Sequence, residues 1–379
     1  MSEPHVDDRD TPCGAVEVNA ALMLGRLDGA LEHAAAAPLR LFAARILRDT
    51  LMAALRQDGH AFNEVRFHAW FAGLATLSDA PPRTGHPPRV LCEAILTEVA
   101  HSSWDALAGT AIAMATAFLA PQDLNSQGAH AHVLDVINDA RLVVADDERE
   151  RREPLFISLA KLHGHIRRSV RFAPQQRGFR RDIPYAKQSP IDQNAPPLWA
   201  IELHYGECLR ALGWLRPALP LLGLLRVDAL SEDEPELARI KRADALRETV
   251  HSMHQKFVEA VRLSAFERGR LSDRRRSSRA PAVFELLAGF GPMRSAQIEV
   301  LLKATRLGVR GMVAMLESEN LVERRTIAGS HLYSVSTTGH KAVPKAGETI
   351  GVAFSTDALN DFDASIAHLD TLLGWSEDE

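Results

Sequence analysis

The chain has 379 residues, 46% apolar and 25% charged, with a net charge of −5. That is room for roughly two or three domains with real hydrophobic cores, and the total charge names no nucleic-acid partner. Three cysteines, Cys13, Cys92 and Cys208, are too few and too scattered for a disulfide framework or a zinc site. There is no apolar run of about 18 residues, and the chain begins on the acidic "MSEPHVDDRD". The expectation is a cytoplasmic protein with no membrane span, no leader and no cofactor.

Ala and Leu dominate and aromatics are 6%, so the chain reads as mainly α. Residues 16–37 place Val16, Ala20, Leu24, Leu27 and Leu31 at helical spacing. Pro38 restarts the chain, and 41–55 and 62–77 follow as two more helices. "DAPPRTGHPP" (79–88) is a loop by its prolines. Helical patterns continue at 89–100, 103–119, 122–140 and 149–171. "FAPQQRGFRRDIPYAKQSPIDQNAPP" (172–197) has no period and reads as an exposed loop or linker. Residues 198–223 read as helical, interrupted at Pro217 and Pro220.

The longest periodic stretch is 235–270, about 54 Å of helix. Ser231 is its expected N-cap, acids fill its first turn and Pro235 stands near its start. Its stripe of Leu237, Ile240, Leu246, Val250, Met253, Phe257 and Val261 either packs on its own domain or joins two copies.

Chemistry-bearing motifs are scarce. His163-Gly-His165, His130-Ala-His132 and His251-x-x-His254 have no companion cysteines, and no HExxH, CxxC, P-loop or GxSxG occurs. These histidines read as surface or core. "GFG" (289–291) follows a helix rather than a strand and is no dinucleotide fingerprint. Trp70, Trp104, Trp199 and Trp214 read as core.

The C-terminal third is more informative. Residues 281–290 form a helix with Val283, Leu286 and Leu287 inward, ended by Gly289, Gly291 and Pro292. Residues 295–303 form a second, with Ser295 as N-cap. Thr305 caps a third, Arg306 to Glu317, whose core positions are Val309, Val313 and Leu316. Leu321 and Val322 begin a strand, Ala328-Gly329-Ser330 is a turn, and Leu332, Tyr333 and Val335 return. This is the order of a winged helix-turn-helix. Such a unit inserts its third helix into the major groove and sets its wing on phosphates. The groove candidates are Arg306 and Arg310, with Thr305 at their cap. The wing candidates are Arg324, Arg325 and His331, and Arg294 is placed to reach a phosphate beside the second helix. Gly308, Gly311, Ala314 and Met315 stand where such helices often carry polar or basic groups.

Basic residues also cluster outside it. Residues 161–181 hold seven Lys/Arg and no acid, with Phe172 and Phe179 interleaved. Residues 262–279 hold seven Arg and two acids. Their Arg274, Arg275 and Arg276 precede the first helix and are candidate phosphate contacts. A solvated linker is the alternative for both runs.

"LLKATRLGVRGMVAMLESENLV" resembles the C-terminal winged helix-turn-helix behind many bacterial Fic-type proteins and in MarR-like regulators. "ALMLGRLDGAL" (21–31) and "PLRLFAARILRDTLMAALRQDG" (38–59) resemble the opening of Fic-type proteins. Nearly the whole chain resembles an alphaproteobacterial, rhizobial-type family of replicon proteins, with a helical domain of unassigned function ahead of a C-terminal helix-turn-helix. The Fic resemblance implies nucleotide transfer to a protein hydroxyl by a catalytic His and a Gly-Asn-Gly-Arg phosphate cradle. No such phrase occurs, "KLHGHIRRSVR" being the nearest, so an enzyme is not expected.

The resulting expectation is a mainly α protein. It has a helical N-terminal domain (1–185), a connector with a long helix and a basic segment (186–280), a winged helix-turn-helix with a small β-hairpin (281–345), and an acidic helical tail (346–379). It is expected to bind double-stranded DNA as a homodimer, as a transcriptional regulator or replicon-associated factor, with a protein partner open to the helical body. The alternatives are a Fic-like nucleotidyltransferase relic and an antitoxin-like partner-binding protein.

Overall fold

The computed structural model describes residues 12–79, 86–122, 126–145, 153–174, 196–271 and 279–336. Met1–Val335 is one compact unit and Ser336–Glu379 another. The acidic helix expected over 357–375, residues 175–195 of the expected linker, and Arg274, Arg275 and Arg276 lie outside the described residues.

Thirteen helices and three strands are described: α1 (Pro12–Glu32), α2 (Ala36–Gln57), α3 (Glu64–Phe71), α4 (Pro88–Val99), α5 (Asp105–Thr116), α6 (Ser126–Val144), α7 (Leu155–Arg168), α8 (Leu198–Ala211), α9 (Val227–Leu230), α10 (Pro235–Leu271), α11 (Ala280–Gly289), β1 (Met293–Arg294), α12 (Ser295–Leu302), α13 (Arg306–Ser318), β2 (Val322–Ile327) and β3 (Ser330–Val335). The chain is mainly helical, with a small antiparallel sheet near its C-terminus. That sheet has three strands in the order β1-β3-β2, one more than the expected hairpin. Its short edge strand is two residues long, too short to show a period.

α2 is the hub. Leu41, Phe42, Ile46, Leu47, Leu51 and Leu55 are all buried, and the helix packs on α4, α5, α8, α10 and α11. A helix apolar over so much of its circumference belongs inside. Its one buried hydroxyl, Thr50, donates to the Ile46 carbonyl at 2.7 Å and so leaves no orphan.

α10 is the spine along which α1 lies. Leu246, Val250, Met253 and Phe257 point inward, and the Phe257 ring meets Phe42 edge-on at 5.6 Å. Arg239 on α10 pairs with both oxygens of Glu17, at 2.7 and 2.6 Å, and Lys256 pairs with Asp49 at 2.7 Å. The apolar stripe of the long helix therefore serves its own chain. Leu237 and Val261 are left exposed. Ser231 does not cap α10. It ends α9, its N–H donating to the Val227 carbonyl.

The helix expected over 198–223 ends at Ala211. Gly213 takes φ +81°, which α-helix forbids, and the chain then folds back on α8. A Cβ on Gly206 would fall 2.0 Å from the Leu219 carbonyl oxygen, so the returning segment lies flush against the helix. Glu202 holds it there: its buried Oε1 accepts the N–H groups of Gly223 and Leu225 at 2.8 and 2.9 Å. Burial pushes this carboxyl up to about 7, against those hydrogen bonds. Trp70 and Trp199 are core, while Trp214 is part-exposed and donates its indole N–H to the Glu153 carbonyl.

Candidate nucleic-acid interface

Residues 280–335 run helix, strand, helix, helix, strand, strand. α11 packs on α2 and α10 of the body, and α12 packs on α5. "GFG" explains this docking. Gly289 lies against α2, where a Cβ would stand 2.8 Å from the Ala44 Cβ. Phe290 enters an aromatic cluster, 4.8 Å from Phe71, which stacks on Phe118 at 4.6 Å. Polar ties reinforce the contact. Gln297, almost fully buried, donates to the Ala117 carbonyl at 2.9 Å. Arg40 clasps Glu285 at 2.9–3.0 Å, and Arg45 reaches the Ala288 carbonyl.

α12 begins one residue earlier than its serine suggests. Arg294 is the N-cap, and its backbone N–H is satisfied by the Gln297 side chain at 3.0 Å. The Arg294 guanidinium is half-buried and donates to the Ala72 carbonyl of the body at 3.3 Å. α12 closes on Lys303 in the left-handed region, φ +47°. Arg279 satisfies its Leu302 carbonyl at 2.7 Å.

α13 follows after three residues. Thr305 caps it, its hydroxyl accepting from the Gly308 N–H at 3.2 Å. Val309, Val313 and Leu316 are buried, which turns Arg306, Leu307, Arg310, Gly311 and Ala314 outward. All five are exposed, and Leu307 is 78% exposed. Arg306 and Arg310 are one turn apart on that face. Leu307 escaped the sequence reading, although the same helical phase that buries Val309 puts it outside.

The hairpin register separates the two wing arginines. Arg324 stands opposite Tyr333 and Arg325 opposite Leu332, so their side chains leave opposite faces. Arg324 shares its face with Val322, Thr326 and His331, and its guanidinium comes within 3.8 Å of Glu317 on α13. Such an exposed pair holds little energy, about 0–1 kcal/mol. His331 meets the Thr326 hydroxyl at 3.1 Å. Arg325 faces away from this group. The structure thus sets Arg306 and Arg310 on the outer face of α13 behind the Thr305 cap, and brings Arg324 of the hairpin beside Glu317 near the other end of that helix, with His331 on the same strand face as Arg324. Arg294 points into the body.

Among the described residues no group of three His, Cys, Asp or Glu side chains converges as a metal centre. His163 is buried, with neither ring nitrogen hydrogen-bonded among the described residues. No helix among the described residues is long and apolar enough to cross a membrane. No protein-family model matches the chain, and no curated protein matches it either.

Proposed function

We propose that residues 280–335 are a winged helix-turn-helix and that the protein reads double-stranded DNA with α13. The observation that carries this is the outer face of that helix. Arg306 and Arg310 stand one turn apart and open to solvent, on a helix whose inner face is anchored by three buried residues. Gly308, Gly311 and Ala314 supply no long side chains, which suits a helix that must enter a groove about 12 Å wide. Arginine forks match guanine O6 and N7, and the exposed Leu307 suits a thymine methyl. On the hairpin, Arg324 and His331 are the phosphate contacts of this reading, and Arg325 and Arg294 are not.

The role is transcriptional regulation or replicon maintenance, with a homodimer reading a two-fold site. That dimer uses a surface other than the inner stripe of α10, which the chain occupies itself. The exposed Leu307 also favours a second reading, in which α13 docks on a protein partner. Selection from a random duplex library with the full-length chain separates the two. Enrichment of a palindromic consensus is expected, and a pool that stays random after repeated rounds would leave the partner-binding reading.

A further inference from the structure

Helices α4, α5, α6 and α8 enclose a half-open cavity of about 740 Å³. That is the size range of a site for one metabolite-sized molecule. Its deep lining is apolar, with Val99, Leu107 and Val144 each at most 5% exposed. Its polar lining is Glu98, His101, Ser102, Arg141, His204 and Glu207, with His101 turned onto the Thr97 carbonyl of α4 at 2.8 Å.

The two carboxylates of this lining are held by neighbouring donors. The Arg141 guanidinium is turned onto Glu98 at 2.6 Å and Asn138 at 3.3 Å. Glu207 is held in place by the N–H and hydroxyl of Ser103, at 3.1 and 3.0 Å, and by Arg210 at 2.9 Å. Its side chain keeps 38% of its surface exposed. His204 Nδ1 stands 3.9 Å from Glu98 Oε1, too far for a hydrogen bond. Its Nε2 is buried without a partner among the described residues. Burial holds this imidazole below the ordinary histidine range, against the pull of Glu98, so it adds no positive charge. The lining therefore offers two carboxylates, each already paired with one guanidinium, Glu98 with Arg141 and Glu207 with Arg210, and Glu207 keeps exposed surface for a further donor. A ligand carboxylate or phosphate would meet like charge at close range. A protonated amine would meet acceptors, with apolar wall behind them for its carbon skeleton.

We propose that this cavity binds a small amphipathic amine, its ammonium donating to Glu207 and Glu98 and its hydrocarbon body resting on Leu107, Val99 and Val144. None of the residues assigned to DNA lines the cavity, so the site stands apart from the DNA reading and is tested without nucleic acid.

The test is isothermal titration of the full-length protein with phenethylamine, 2-phenylethanol and 3-phenylpropanoate, three probes of similar shape and different head group. The amine is expected to bind saturably at one site per chain, the alcohol more weakly, and the acid not at all. Glu207→Gln keeps an acceptor for Ser103 but removes the charge, and should weaken the amine by roughly tenfold or more. Ala211→Phe, at an exposed lining position, should block the cavity while leaving the ligand-free melting temperature near that of the wild type. Hexylamine and tryptamine extend the probe set to a slimmer and a larger body. The proposal is overturned if none of the three amines binds, if the acid binds as tightly as the amine, or if both variants bind like the wild type.

Discussion

Gly291 rests on the His68 ring, so closely that a Cβ built on it would fall 2.5 Å from Cε1 and 2.6 Å from Nε2. Its φ of +116° is open to glycine and costly for other residues. His68 is itself 1% exposed and meets Phe290 edge-on at 5.9 Å. Gly291→Ala therefore combines backbone strain with overpacking and should destabilise the chain by about 2–4 kcal/mol. Urea unfolding followed by near-ultraviolet circular dichroism checks this. A loss under roughly 0.5 kcal/mol, the scale of an ordinary surface change, would mean that residues 280–335 are not clamped onto α3.

Glu202 should make stability fall with rising pH. Its carboxyl is raised to about 7 by burial, so the folded state holds a proton that the unfolded chain releases near 4.5. The stabilisation is complete below about 4.5 and is lost as pH rises through 7, on the order of 3 kcal/mol in all. Glu202→Gln keeps an acceptor for Gly223 and Leu225 and cannot ionise. Urea midpoints between pH 5 and 8 should slope downward in the wild type and lie flatter in the variant. Parallel slopes would refute the assignment.

His163 acts in the opposite direction. Burial, with Arg242 and Arg167 adding to it, lowers its pKa to about 3. The unfolded chain takes up a proton near 6.5 that the folded state refuses. Stability from this group is present above about 6.5 and is lost as pH falls toward 3. Acid unfolding of His163→Leu should begin at lower pH than that of the wild type. An unchanged acid midpoint would show that another group governs it.

Ala328 and Gly329 form the two-residue hairpin turn with φ of +48° and +74°, the signature of a type I′ turn, where Asn-Gly is preferred. Alanine is strained there. Ala328→Asn should stabilise the unit by about 1 kcal/mol, read as a raised urea midpoint at unchanged slope. A lowered midpoint would argue against this turn.

Much of the helical fold was legible because 3.6-residue periodicity is a local property. Val309, Val313 and Leu316 set the phase of α13 from their spacing, and Thr305 announced its start. What escaped depends on partners distant in the chain. "GFG" looked like punctuation because Ala44 and His68 lie more than 200 positions away. The Arg324 and Arg325 pair looked like one basic patch until the strand register divided it. Arg294 looked free until Ala72 claimed it. The cavity residues come from three helices, Glu98 from α4, Arg141 from α6, and His204 and Glu207 from α8, and only the last two share a helical spacing that a linear reading could detect.

The central claim is that α13 reads base edges, and fluorescence anisotropy on a selected duplex across a salt series tests it most directly. Arg306→Ala and Arg310→Ala should each cost about 1–3 kcal/mol on that duplex and little on a scrambled one. Arg324→Ala should weaken both duplexes alike and reduce the salt slope by about one unit, while Arg325→Ala leaves the slope in place. Absence of binding at about 50 mM salt, where phosphate contacts are strong, or binding indifferent to Arg306 and Arg310, would contradict the account.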